Sequence, residues 1–241
     1  MRPRSGGATR AGPDGPNEDA LGRDDERRAY VVADGVGQYR GAGLASGLAV
    51  EACLGALAAG PPGDEDAVRT WLGRATQHVA RVIHARGRAE PAHGSMATTL
   101  TALQLLDGAW WIVHVGDTRG YLLREGGLTQ LTRDHSLAWE QFEAGAITKA
   151  QLRDHPNQNL LTRTVIARRD GVVPEVFRGD LRSGDRLLLC SDGLIKVLDE
   201  GRIAETLGEG DDAQAIADAL VERAARIGLT DDTTALVVLV D

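Results

Sequence analysis

The stretch "AWWIVHVGDTRGYLL", residues 109 to 123, carries bulk at both parities of an extended chain. Trp110, Ile112 and His114 point one way, while Trp111, Val113 and Val115 point the other. Such a strand is covered on both faces. The segments 97–106, 110–116 and 119–124 read as consecutive strands, joined by links too short for a parallel crossover, so they are expected to form an antiparallel meander. An antiparallel sheet buried on both faces must pack against a second sheet on one side and helices on the other. Further strands are expected at 28–33, 185–190 and 234–240, and helices at 43–59, 65–87, 137–145, 199–207 and 212–227. The helix pairs at 43–87 and 199–227 can supply the outer layers. The expected fold class is α+β, a four-layer α-β-β-α sandwich of two antiparallel sheets flanked by helix pairs.

A chain of 241 residues, 42% of them hydrophobic, can bury a sizeable core. No linker divides it, because the Pro/Gly cluster at 58–66 reads as a turn between helices, and no internal repeat is visible. One domain over residues 1–241 is therefore expected. With 35 acids against 27 bases the formal charge is −8, which argues against a nucleic-acid partner. The Arg-, Gly- and Pro-rich start has no apolar h-region, and no apolar run approaches membrane-spanning length. Cys53 and Cys190 make no disulfide framework and read as small buried hydrophobes of a reducing compartment. A cytoplasmic location without a membrane partner is expected.

Acids recur where apolar runs stop. Asp34 precedes Gly35 after "AYVVA", Asp192 precedes Gly193 after "RLLLCS", Asp117 follows "WWIVHVG", and Asp231 stands just before "DTTALVVLV". One Asp-Gly at a strand end is ordinarily a turn. Four such acids, together with Asn17, Glu18 and Asp19, would repel one another if the sandwich brought its strand ends together, unless cations neutralised them. No cysteine lies at ligand spacing, and His114 points away from Asp117 by alternation. An all-oxygen set suits Mg²⁺ or Mn²⁺ rather than zinc, and Gly35 can add a backbone carbonyl because nothing on its Cα blocks the approach. Two such ions about 3.5 to 4 Å apart can activate a bridging water for in-line attack at phosphorus.

The order "NED", "ADGVG", "ATTL", "VGDTR", "LTRDHS", "HPNQNLLTR", "CSDGL" and "DDTT" resembles the metal-dependent serine/threonine protein phosphatases of the PP2C (PPM) family in their bacterial single-domain form. The resemblance covers about Asn17 to Val240. It implies that Asp34 bridges two metals, that Gly35 ligates one through its carbonyl, and that Asp192 and Asp231 complete the first. Asp19 would serve the second, with Glu18 acting through water, and Asp117 would share a weaker third ion with Asp192. Residues 137–166, including His155, Pro156 and Asn159, match the family's flap, a helical excursion able to close over the substrate side. His135 and His155 read as structural hydrogen-bonding groups rather than catalysts.

Departures from the pattern bear on rate and substrate preference. Asp14 stands where the bacterial members usually place a phosphate-binding Arg, which leaves Arg10 as the nearest replacement. Tyr39 stands where they usually have a His proposed as proton donor to the leaving alcohol, and is the candidate donor here. Gln38, Ala97 and Ala167 replace common glycines, and Asp232 replaces an Asn. The implied activity is Mn²⁺- or Mg²⁺-dependent hydrolysis of phosphoserine and phosphothreonine in proteins by a monomer, opposing a cognate Ser/Thr kinase. The alternatives are a catalytically weak phosphoprotein-binding module of the same fold, favoured by the losses at positions 14 and 39, and a two-metal hydrolase of small phosphoesters.

Overall fold

Strand β6 (Ala109–Val115) uses both of its apolar faces. Trp110 and Ile112 enter a core with Tyr30, Val32, Leu187, Leu189, Leu236 and Val238, while Trp111, Val113 and Val115 enter another with Ala45, Ala49, Leu72 and Val79. The first core lies between two sheets and the second between a sheet and helices, as the alternation requires. Each such side chain, moved out of water, contributes about 1.5 to 3 kcal/mol.

The computed structural model describes residues 2–241 except 38, 61–62, 91–95, 107, 154 and 167–171, so the expectations that fall on Gln38 and Ala167 lie outside the described residues. One sheet contains, in spatial order, β1 (Pro3–Arg10), β12 (Thr233–Val240), β11 (Arg186–Cys190), β7 (Arg119–Arg124) and β8 (Gly127–Gln130). The other contains β10 (Glu175–Asp180), β6, β5 (Leu100–Leu106), β3 (Ala29–Asp34) and β2 (Asp19–Asp24). All neighbouring strands in both are antiparallel. Helices α1 (Ala42–Leu57) and α2 (Glu65–Ala89) cover the second sheet, and α6 (Glu200–Leu207) and α7 (Ala213–Ile227) cover the first through a third core of Leu188, Val237, Ile203 and Leu220. Four layers result, as expected. Asp64 caps α2 by accepting from the Ala67 amide, which fixes where that helix begins. Among the described residues no helix is long and apolar enough to cross a membrane.

The expected meander is only half present. β5 and β6 form a hairpin, but β7 pairs with β11 and β8 in the opposite sheet. The chain crosses the sandwich at Gly116–Thr118, where Gly116 has φ +112° and a Cβ on it would lie 2.5 Å from Thr99 Cβ. A short link between apolar strands fits a crossing between layers as well as a hairpin, and only packing distinguishes them. The segment 97–106 is likewise divided into β4 (Ala97–Thr98) and β5, and β4 pairs with β9 (Val165–Ile166). Strands β1, β2, β8, β9 and β10 have no counterpart among the expected ones. In β1 the reason is local: a Cβ on Gly6 would lie 2.2 Å from the Gln214 amide nitrogen, so glycine is needed where α7 rests on the strand. The excursion between β8 and β9 carries α3 (Leu137–Glu143) and α4 (Lys149–Arg153).

Candidate metal centre

Asp19 begins β2 and Asp34 ends β3, and the two are paired across the strands. Asp117 lies in the crossing between sheets, Asp192 opens α5 (Asp192–Val197) just after β11, and Asp231 precedes β12. Carboxylate oxygens of Asp34, Asp117 and Asp192 all lie within 4.8 Å of one another. Burial, reinforced by the charges of Asp19, Asp192, Asp117 and Asp231, holds the Asp34 carboxyl well above the usual carboxylate range. Burial likewise raises Asp117, with Asp192 and Asp134 adding to it, and raises Asp192 against the opposing pull of Lys196. Asp19 is pushed up to about 7, chiefly by burial, although Ser191 and Thr234 stabilise its anion. Four buried acids therefore meet in a place that disfavours their own charge, with the more exposed Asp231 beside them.

That arrangement fits a divalent cation. Asp19 Oδ1 and Asp192 Oδ1 are buried and have no hydrogen-bond partner, which is costly for a carboxylate unless a cation completes its surroundings. The donors are all oxygen, the set that hard octahedral ions prefer. His114 is directed elsewhere, with Nδ1 2.8 Å from Thr101 Oγ1 and Nε2 2.9 Å from the Arg133 carbonyl.

The backbone around the acids is held by buried hydroxyls and close-approach glycines. Asp34 N–H donates to Thr99 Oγ1 (2.9 Å), and the Asp34 carbonyl accepts from Thr98 Oγ1 (2.8 Å) and Thr99 N–H (2.8 Å). Thr118 Oγ1 reaches Thr99 Oγ1 at 3.2 Å, joining the Asp34 strand end to the Asp117 crossing. Ser191 Oγ donates to Asp19 Oδ2 (2.7 Å) and accepts from Thr234 N–H (2.9 Å). The glycines that follow Asp34 and Asp192 share a cause. A Cβ on Gly35 would lie 2.5 Å from the Ala42 carbonyl oxygen, and one on Gly193 would lie 2.1 Å from that of Asp232. Asp-Gly marks places where another segment presses on the chain just beyond a carboxylate.

Two residues of the site carried no role in the sequence. Asp232, noted only as a departure from Asn, accepts from Gly12 N–H at 2.7 Å and from Glu18 N–H at 2.6 Å, tying the segment before β2 to the start of β12. Lys196 places Nζ 2.6 Å from Asp192 Oδ2 and 2.7 Å from Asp231 Oδ2. Burial works against its charge, but the two carboxylates outweigh burial and hold it protonated. Its one sequence signal is the four-residue spacing from Asp192 on a helix.

The other named residues are placed as follows. Glu18 gives its carbonyl to Gly35 N–H (3.1 Å), and its side chain is near Gly37 and the charges of Asp231 and Asp232; burial raises its carboxyl. Tyr39 lies in the tight loop before α1, its N–H on the Val36 carbonyl (2.9 Å). Ala97 is buried and its carbonyl receives Val36 N–H (3.0 Å). Asp14 is exposed. Arg10 donates to Glu222 on α7 (3.1 Å), so in this structure its guanidinium is engaged away from the carboxylates. His135 accepts from Gly116 N–H (3.0 Å) and so supports the crossing that carries Asp117, while His155 accepts from Asn157 N–H (3.2 Å) within a turn. Between the 137–166 excursion and α5–α6 lies a cavity of about 740 Å³, lined by Asp117, Asp192, Lys196, Trp139, Lys149 and Leu152 among others.

Known proteins resemble this chain in sequence and fold. A serine/threonine phosphatase stp of Listeria innocua is 34% identical over 217 residues, covering 89% of this chain and 85% of its own. The serine/threonine protein phosphatase PstP of Mycobacterium tuberculosis is 35% identical over 210 residues, covering 87% of this chain; the match spans 40% of that protein's length. A crystal structure of the PstP catalytic domain in complex with two manganese ions superposes with a TM-score of 0.87, 32% identity and 99% coverage of both chains. The family model described as protein phosphatase 2C matches residues 7–227. With most of its length accounted for by that model, the chain belongs to the protein phosphatase 2C family.

Proposed function

We propose that this chain hydrolyses phosphoserine and phosphothreonine in proteins with the aid of Mn²⁺ or Mg²⁺. The observation that carries the reading is the convergence of Asp34, Asp117 and Asp192 within 4.8 Å, with buried carboxylate oxygens left unpartnered. Asp34, Asp192, Asp231, Asp19 and the Gly35 carbonyl would hold two such ions, with Glu18 acting through water, and Asp117 would share a third with Asp192. Divalent ions held there would activate a water for attack at phosphorus and offset the phosphoryl charge. The residues of the chain orient them: Thr98 and Thr99 hold the Asp34 backbone, Ser191 orients Asp19, and Asp232 fixes Glu18. Residues 1–241 act as one domain whose 137–166 excursion is a flap over the substrate side. The partners are phosphorylated proteins and a cognate kinase, the chain works as a cytoplasmic monomer, and the buried, unpaired Cys53 and Cys190 agree with a reducing compartment.

Initial rates on a phosphothreonine peptide and on p-nitrophenyl phosphate, with Mn²⁺, Mg²⁺ or chelator, test the reading. Turnover of both substrates that vanishes with chelator and in Asp34→Ala supports it; turnover that persists in chelator defeats it. A slow phosphoprotein-binding module is favoured by one observation, the engagement of Arg10 by Glu222. If Arg10 nonetheless grips phosphate, Arg10→Ala raises KM and leaves metal affinity unchanged; if it does not, neither moves. For Tyr39 as proton donor, Tyr39→His speeds the phosphopeptide, whose alkoxide needs a proton, and leaves the aryl phosphate unaffected. Equal effects on both substrates would remove that role.

A further inference from the structure

Lys196 occupies the gap between Asp192 and Asp231. Its Nζ lies 2.6 Å from one carboxylate and 2.7 Å from the other, and its side chain is only 16% exposed. The second oxygen of Asp231 is engaged too, accepting Asp232 N–H at 2.9 Å. Asp231 therefore has no oxygen without a donor already on it. An ammonium and a divalent ion both seek these oxygens, and two cations cannot share so small a gap without strong repulsion. The lysine is carried on α5, one turn beyond Asp192, and it also lines the 740 Å³ cavity, so space exists for its side chain to swing clear.

We propose that Lys196 is a tethered cation that fills the Asp192–Asp231 gap in the metal-free chain and must leave it before both carboxylates can hold an ion. The inference rests on the reading of those carboxylates as metal ligands. Two consequences follow from one side chain. The ammonium offsets part of the carboxylate repulsion when no metal is bound, and it competes with the metal when one arrives, which sets a threshold of ion concentration for filling that position.

The sequence supplies a clean reporter, because Lys149 and Lys196 are its only lysines. Lys149 is 72% exposed and pairs with Glu200, so it serves as the internal reference. Reductive methylation followed by mass spectrometry should show Lys196 protected in chelator, with its labelling relative to Lys149 rising severalfold in saturating Mn²⁺. Calorimetric titration with Mn²⁺ should show the ion at this position bound about tenfold more tightly by Lys196→Met than by the wild type, the balance of two charge-assisted contacts against rehydration of the ammonium. In chelator the same variant should melt at a lower temperature than the wild type. Equal Mn²⁺ affinity in the wild type and a folded Lys196→Met would overturn the proposal. Should that variant not fold without metal, Lys196 labelling in the wild type decides alone, and labelling indifferent to Mn²⁺ overturns it. Binding of no Mn²⁺ by either protein would remove the metal reading of the site, and the inference with it.

Discussion

Acid should unfold this protein through His114, and replacing that residue should flatten the response. His114 is fully buried on β6, between Thr101 and the Arg133 carbonyl, with the His135 ring 4.8 Å away. Burial first, then the neighbouring His135 and Arg163, lower its pKa to about 3, against the opposing backbone hydrogen bonds at Arg133 and Gly116. In the unfolded chain a histidine titrates near 6.5, so between about 6.5 and 3 the unfolded state binds more protons. The stability that neutral His114 confers is thus fully present above about 6.5 and is lost as pH falls toward 3. At about 1.4 kcal/mol per pH unit the loss is about 2 kcal/mol at pH 5 and about 5 kcal/mol when complete. His114→Gln keeps an amide able to meet Thr101 and Arg133 but cannot titrate. At pH 7.5 the variant should be less stable by about 1 to 3 kcal/mol, the cost of imperfect buried hydrogen bonds. Urea unfolding from pH 7.5 down to 4 should show that deficit shrinking by about 2 kcal/mol at pH 5 and more below. A deficit that stays constant with pH would refute the assignment of acid sensitivity to His114.

Three further outcomes are expected. Gly193→Ala forces a Cβ to within 2.1 Å of the Asp232 carbonyl oxygen, so it should destabilise by about 3 kcal/mol or more in a melting experiment and weaken Mn²⁺ binding with it. Asp19→Asn removes one of five converging carboxylates while retaining an acceptor for Ser191, so it should raise the melting temperature in chelator and lower the gain on adding Mn²⁺. Ser191→Ala leaves Asp19 Oδ2 and the Thr234 amide without their shared hydroxyl, and should cost about 1 to 3 kcal/mol of stability by urea unfolding.

The layers were legible because β6 carries bulk on both parities, and the outer helices because 65–87 is long enough to show an apolar face and 43–59 is a long apolar run without strand alternation. The acids were legible because each interrupts or abuts an apolar run. What escaped notice depends on contacts between distant segments. β1 contains Gly6 and Gly7, poor strand residues by composition, and the contact that demands Gly6 comes from α7, more than 200 residues on. The 116–118 link was short enough for a hairpin, and its crossing between sheets is dictated by the second layer. Lys196 gave no more than a four-residue spacing from an acid, which on most helices is a solvated ion pair. Here the partner is buried, and burial cannot be read from spacing.

Antiparallel pairing explains why these particular acids meet. Asp19 opposes Asp34, so the start of β2 and the end of β3 share one edge of the sandwich. Val32 opposes Thr101 and Leu100 opposes Val115, which carries that edge to the start of β5 and the end of β6. The chain then crosses to the other sheet without changing ends, leaving Asp117 on the crossing. There Arg119 opposes Cys190 and Cys190 opposes Ala235, so Asp192, just past β11, and Asp231, just before β12, arrive at the same edge. A slip of one residue in any of these pairings would reverse the faces of a whole strand, and the three apolar cores resist that. The hydrophobic layers thus hold a repulsive cluster of carboxylates together without help from the carboxylates themselves. A centre built in this way should keep its fold when a single acid is neutralised and lose its metal instead, whereas a glycine that lets two segments touch carries both fold and site.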